Sequence, residues 1–269
     1  MSATEWWGEA LRSWTIPEEI MSAAPDSPYA LPVECFRPDR ARSVDDSPTL
    51  AHAAETLLDG GRVLDVGVGG GAASLPLAPR AGLVTGVDES ADAIEGFLHS
   101  AAAGGVAARA VRGSWPDVAP EVGLADVVVC SHVLYNVQDL EPFVSALDSH
   151  AARRVVVEIT GRHPLAWMND LWLHFHGLVR PGSPTADDAV AVLVEMGIHP
   201  ARQDHFERRG KLWQNKEDAV ALVRRRLCLP ATTDPELEKI LGDRLSMHRG
   251  SWSAGPPEQD LVTLWWDRG

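Results

Sequence analysis

The sequence predicts an α/β fold, a doubly wound and mostly parallel seven-stranded sheet with an N-terminal helical arm and C-terminal insertions. Three observations carry this reading. Short Val-rich segments, apolar on both faces, alternate with helical segments up to residue 160, the pattern of a parallel sheet covered on both sides. The first of them, 62–65, runs into a turn holding Gly67, Gly69, Gly70 and Gly71, where the backbone can take positive φ and a ligand can come close. The second, 83–87, ends in Asp88, twenty-one residues after Gly67, where a strand-tip carboxylate can accept both hydroxyls of a ribose.

In chain order, residues 1–47 stand outside the sheet as a helical arm. Trp6, Trp7, Ala10, Leu11 and Trp14 recur at helical spacing and predict an amphipathic helix over 3–14. Pro17 starts a short helix through Ile20 and Met21. Pro25, Pro28, Pro32 and Pro38 then hold an irregular segment whose Tyr29, Leu31 and Phe36 are available to dock on the main body. Two compatible readings of the arm stand: a surface packing element, or a lid over a ligand. Ser47 followed by Pro48 marks a helix start and the beginning of the main domain, 48–269. Leu50, Ala54, Leu57 and Leu58 give that helix its apolar stripe, and Gly60–Gly61 ends it.

The alternation then runs strand 63–66, helix 71–80, strand 83–87, helix 91–102, strand 107–112, strand 125–130, helix 139–150 and strand 154–159. Asp139 stands as N-cap, with Phe143, Val144 and Leu147 as the buried face of its helix. Pro76 conflicts with the first helix, because it removes a backbone donor about two turns in. Beyond Thr160 the regularity loosens into helical insertions at about 161–184 and 208–258. The apolar and aromatic stretch 165–176 comes first, then a proline/glycine loop over 180–184. Thr185 caps a helix to Met196, and a short strand follows at 202–206. Asn215 caps a helix through Leu227, whose Arg224–Arg226 end reads as a C-terminal charge cluster. Asp234–Pro235 starts another helix, and 260–266 is a strong final strand.

At 269 residues the chain is long enough to bury a real core. Its formal charge of −14 argues against binding duplex nucleic acid, which needs a basic face. Three widely spaced cysteines give no disulfide framework, and no run of eighteen apolar residues occurs. These features lead us to expect a cytoplasmic protein with no membrane or nucleic-acid partner, acting as a monomer or homodimer.

The Asp-x-Gly-x-Gly-x-Gly run at 65–71 closely resembles the first motif of the class I S-adenosylmethionine-dependent methyltransferases, of the small-molecule type. The resemblance spans roughly 48–160. It takes in VLDVGVGGG, GVDES at 86–90, VRGSWPDV at 111–118 and ADVVVCSHVLYNV at 125–137, each at a strand tip. It implies a Rossmann-like fold, S-adenosyl-L-methionine as methyl donor and S-adenosyl-L-homocysteine as product. It also implies that Asp65, Gly67, Gly69 and Gly71 hold the methionine end of the donor. Asp88, with Glu89 beside it, would take the ribose. Ser114 and Trp115 would flank the adenine, though many relatives carry an acidic residue where Ser114 stands. Trp115 either stacks on the ring or packs between helix and sheet. Ser131 and His132 would lie beside the methionine portion.

A dinucleotide is the competing ligand, since Ala72 is a permitted variant of its third glycine. Asp65 directly before the turn weighs against it, because a carboxylate there repels a pyrophosphate and suits a cation. Methyl transfer needs a base only where the acceptor must lose a proton. The candidates at the sheet's C-terminal edge are His132, Tyr135, Glu158 and His163. Aromatic residues in the arm and insertions, Trp14, Tyr29, Trp167 and Trp172 among them, would line a pocket for a small planar acceptor. His174 and His176 are two apart on a helix and face different ways, so no metal site is expected. A methyltransferase-like binding or regulatory protein without turnover is the alternative function.

Overall fold

The computed structural model describes residues 1–29, 44, 47–208, 213–248 and 250–268. Leu31, Pro32, Cys35, Phe36 and Pro38 of the arm lie outside the described residues. In chain order, α1 (Ala3–Arg12) and α2 (Glu18–Ala23) form the arm, and α3 (Pro48–Thr56) leads into β1 (Gly61–Val66). Then come β2 (Ala81–Asp88), α4 (Ala91–Ala103), β3 (Ala108–Arg112), β4 (Ala125–Ser131), α5 (Leu140–His150) and β5 (Ala151–Thr160). The second half holds α6 (Asn169–His176), α7 (Ala186–Glu195), β6 (Ala201–Arg208), α8 (Lys216–Arg226) and α9 (Asp234–Leu241). A hairpin of β7 (Leu245–His248) and β8 (Ser251–Ala254) precedes β9 (Glu258–Asp267).

The main sheet has seven strands in the order β3-β2-β1-β4-β5-β9-β6. The pairs from β3 to β5 are parallel, and β9 runs antiparallel to both β5 and β6. The C-terminal tips of β1 to β5 therefore share one edge. The strand order reverses between β1 and β4, where open α/β sheets place their ligands. One face of the sheet packs Trp7 and Leu11 of α1, Phe143, Val144 and Leu147 of α5, and Val192 and Leu193 of α7. The other packs Leu50 and Ala53 of α3 and Phe97 of α4. A third apolar cluster joins Ile16 of the arm to Leu171 and Trp172 of α6, Val220 and Val223 of α8, and Leu237 and Leu241 of α9. That cluster is a helical cap built from the arm and both insertions.

Capping follows the sequence closely. Thr185 accepts from the Asp188 N–H while the Asp188 carboxylate accepts from Thr185 N–H, and Asn215 accepts from the Asp218 N–H. Ser47 and Asp139 stand at the expected N-cap positions but make no capping bond. The helix expected over 71–80 is a correction: only a single 3-10 turn, Leu75–Leu77, forms there. Pro76 lacks a backbone donor and its ring clashes with the carbonyl four residues back, so the segment cannot propagate an α-helix. No helix dipole stands behind the glycine turn, and the turn must bind through its own backbone and side chains. The hairpin at 245–254 lies inside the insertion expected to be helical.

Gly67 has φ +76°, and a Cβ there would run into a γ-methyl of Val133. Gly67→Ala is expected to cost about 2–4 kcal/mol, from left-handed strain and overpacking together. Urea melts check this: Val133→Ala added to the variant should recover the steric part and leave the strain.

Candidate functional site

The glycine turn joins the tips of β1 and β2. Gly67, Gly69 and Gly71 have φ of +76°, +49° and +88°. The N–H groups of Gly67 and Val68 both donate to the Val87 carbonyl, at 2.8 and 3.0 Å. Asp88 is held as a bracket: Oδ2 accepts from Gly69 N–H and Oδ1 from Ser90 N–H, both at 2.9 Å. An ionised carboxylate has about four acceptor sites, so each oxygen keeps capacity for a ribose hydroxyl.

Asp65 lies beneath the turn and is 1 % exposed. Ser74 Oγ donates to its Oδ2 at 2.5 Å, while Oδ1 is buried with no partner among the described residues. Burial raises its pKa to about 7; the Ser74 bond opposes the rise and the nearby charge of Asp88 adds to it. Two carboxylates, one of them with an orphaned oxygen, make a setting that a cation would stabilise and a pyrophosphate would not. The residues present therefore fit S-adenosylmethionine, which carries a sulfonium and an ammonium. Asp65, Gly67, Gly69 and Gly71 would hold its amino-acid end, and Asp88 its ribose.

Glu89, directly after β2, and Ser114, just beyond the tip of β3, are both exposed. Trp115 takes the packing alternative: its ring is 7 % exposed within the core, and Nε1 donates to the Phe143 carbonyl at 3.2 Å. It does not offer a free face for stacking.

The tips of β4 and β5 carry a second polar cluster. Glu158 is 2 % exposed. Its Oε1 accepts from Ser131 Oγ at 2.9 Å and lies 3.2 Å from His132 Nε2, while Thr49 Oγ1 of α3 donates to Oε2 at 2.5 Å. Burial pushes this carboxyl up, but the bonds and charge of His132 and the bonds of Thr49 and Ser131 outweigh it and bring the pKa down to about 2. The carboxylate is ionised and orients the imidazole. His132 is a non-glycine residue at φ +61°, a strained conformation fixed by its N–H bond to the Glu158 carbonyl at 2.8 Å. Its side chain is 49 % exposed, with Nε2 beside the carboxylate. The next residue, Val133, is the one whose methyl fills the space over Gly67.

Tyr135, another candidate base, is placed differently. It is buried, its hydroxyl donates to the Thr160 carbonyl at 2.8 Å, and burial raises its pKa, so the phenol is held in its protonated form. His163 is stacked on Trp14 with ring centroids 3.7 Å apart, and burial, then the charge of Arg180, brings its pKa down to about 3. It is neutral and enclosed.

Tyr135 and His163, together with Trp14, Tyr29, Trp172 and Arg180, line a cavity of about 210 Å³ between the strand tips and the cap. Three of the four aromatic residues expected to line an acceptor pocket meet here. Trp167 does not; it packs against the cap cluster instead. Sequence reasoning missed Thr49 as a partner of Glu158, and missed Arg180 and Arg226 in the cavity wall. A wider groove, lined by Asp148, His199 and Arg268 among others, lies across the sheet's other end, away from the strand tips. His174 and His176 bond separately to Glu236 and to the Leu227 carbonyl. Among the described residues no group of three or more His, Cys, Asp or Glu could hold a metal ion, and no helix is long and apolar enough to cross a membrane.

Residues 63–153 match the family model of a methyltransferase domain. None of the curated protein sequences matches the chain significantly. Among solved structures, a methyltransferase of Bacillus halodurans C-125 described only by similarity is 13 % identical with a TM-score of 0.55, covering 82 % of this chain and 98 % of its own. The YcgJ protein of Bacillus subtilis is 17 % identical with a TM-score of 0.51, covering 82 % and 99 %. A structure reported for the conversion of a disulfide bond into a thioacetal group during echinomycin biosynthesis is 18 % identical with a TM-score of 0.53, covering 90 % and 88 %. The matched segment runs from β1 through α5 and into the start of β5, and it contains the glycine turn and Asp88. Residues 63–153 thus match a methyltransferase domain at the centre of a seven-stranded sheet, and the chain shares the Rossmann-like fold of these solved structures.

Proposed function

We propose that the chain methylates an oxygen or nitrogen of a small molecule bound between the strand tips and the helical cap. S-adenosylmethionine supplies an activated methyl group on its sulfonium sulfur. The protein's own tasks are alignment, exclusion of water and removal of a proton from the acceptor. The observation that carries the reading is the His132–Glu158 pair, one residue from the Val133 methyl that packs over Gly67. It puts an oriented imidazole beside the cofactor turn. In our assignment Glu158 fixes Nε2–H, and Nδ1 takes the acceptor's proton. The cavity of about 210 Å³ admits a small molecule and no macromolecular chain, in keeping with a net charge of −14.

The test is calorimetry with S-adenosylmethionine, followed by S-adenosylhomocysteine release over phenols, amines and carboxylates. Turnover that needs His132 supports the proposal. Tight cofactor binding with no turnover on any acceptor would make this a binding protein instead. Asp88→Ala is expected to weaken S-adenosylmethionine binding at least about tenfold, through loss of charge-assisted bonds worth roughly 1.5–3 kcal/mol each. Asp88→Asn, which keeps one acceptor oxygen for the turn, should lose less.

A further inference from the structure

The cavity under the cap combines flat aromatic walls with two guanidinium groups, Arg180 and Arg226, and among the described residues no acidic side chain lines it. Arg180 is fixed in place. Its Nη1 donates to the Thr15 carbonyl at 3.3 Å and Nη2 to the Trp14 carbonyl, and its Cζ lies 5.2 Å from the Trp14 ring centroid and 5.0 Å from that of Trp172. Nε is buried and has no partner among the described residues. Arg226 reaches in from the last turn of α8 and donates to the Pro28 carbonyl at 2.8 Å. Burial disfavours the charge on Arg180 and lowers its pKa. The neutral His163 beside it compensates nothing, and its Nδ1 accepts the Leu165 N–H at 3.3 Å.

We infer that this cavity holds a small aromatic carboxylate, its ring among the aromatic walls and its carboxylate on Arg180. A planar guanidinium with an unused Nε–H matches a carboxylate edge-on. Aromatic walls in a space of about 210 Å³, below the ~300–1,000 Å³ of drug-sized pockets, limit the ligand to one or two rings. The inference rests on the proposed methyl transfer only in naming this ligand as the acceptor; the binding itself stands apart from turnover.

The experiment is calorimetry on the full chain with 4-hydroxybenzoate and indole-3-carboxylate, each against its amide and methyl ester, with inorganic phosphate and sulfate as competitors. We expect the acids to bind at least tenfold tighter than the neutral forms. Arg180→Met should erase that difference and leave S-adenosylmethionine affinity within twofold. Equal binding of acid and amide overturns the inference. So does displacement of the acid by phosphate or sulfate at equal concentration. A loss of S-adenosylmethionine binding in Arg180→Met, with acid binding intact, also overturns it, because the arginine would then answer the cofactor's own carboxylate. Should Arg180→Met fail to fold, the acid-to-amide ratio on the wild-type chain decides alone. S-adenosylhomocysteine release on the same samples separates the two proposals. Acid-selective binding without turnover sinks methyl transfer and keeps this inference; turnover on neutral acceptors without acid preference does the reverse.

Discussion

His132→Asn is expected to lower kcat by about 10²–10⁴-fold on an acceptor that must lose a proton, the usual worth of a positioned general base. Asparagine tolerates the left-handed backbone better than most residues, so the φ of +61° can persist and the variant should stay folded. Glu158→Gln separates orientation from structure. The wild-type carboxyl has its pKa brought down to about 2, so its stabilising contribution is present above the unfolded value near 4.5 and lost as pH falls through about 2. At neutral pH the glutamine variant should melt at a lower temperature and also turn over more slowly. Toward pH 3 the gap in Tm should narrow. If both variants lost only Tm, with kcat unchanged, the pair would be structural and the acceptor would need no base.

The sheet was legible because a doubly covered parallel strand leaves a dense signature of valines. Runs such as Val127–Val128–Val129 and Val155–Val156–Val157 are fully buried whichever face they point to. The strand tips were legible for the same reason, and with them Asp65, Asp88, Ser131 and Glu158. What the sequence hid is non-local. Thr49 meets Glu158 across 109 residues of chain. Arg180 and Arg226 sit on separate insertions, and Arg226 read as part of a helix C-terminal charge cluster because its own helix gives no sign that Pro28 and the cavity lie beside it. The failed helix over 71–80 carried its warning in Pro76, but helical composition around it was the stronger pattern. The β7–β8 hairpin pairs Leu245 with Ala254 and Met247 with Trp252, too short and too mixed a segment to show a period of two.

Asp65 sets up the second large effect, a pH dependence of cofactor affinity. Its pKa of about 7 arises because burial and the Asp88 charge outweigh the Ser74 bond. A cation beside it favours the ionised form, so binding S-adenosylmethionine at lower pH must release a proton from this group. Affinity should therefore weaken about tenfold for each pH unit below 7 and level off above it, the behaviour of one linked proton. Asp65→Asn should flatten that profile at the weak end. The stability of the cofactor-free chain should move the other way. Between about pH 4 and pH 7 the folded state carries a proton on Asp65 that the unfolded state has released, so stability falls as pH rises through that window. The total is about 4 kcal/mol at most, since each tenfold difference in proton affinity between the two states is worth about 1.4 kcal/mol. Asp65→Asn should remove the slope and melt higher than wild type at pH 8, trading stability for binding. The Glu158 window lies lower, between about 4.5 and 2, so the two groups can be told apart in one series of urea melts. A wild-type affinity for S-adenosylmethionine that is flat from pH 5 to pH 8 would mean that Asp65 does not face the cation, and that the turn binds the cofactor through its backbone alone.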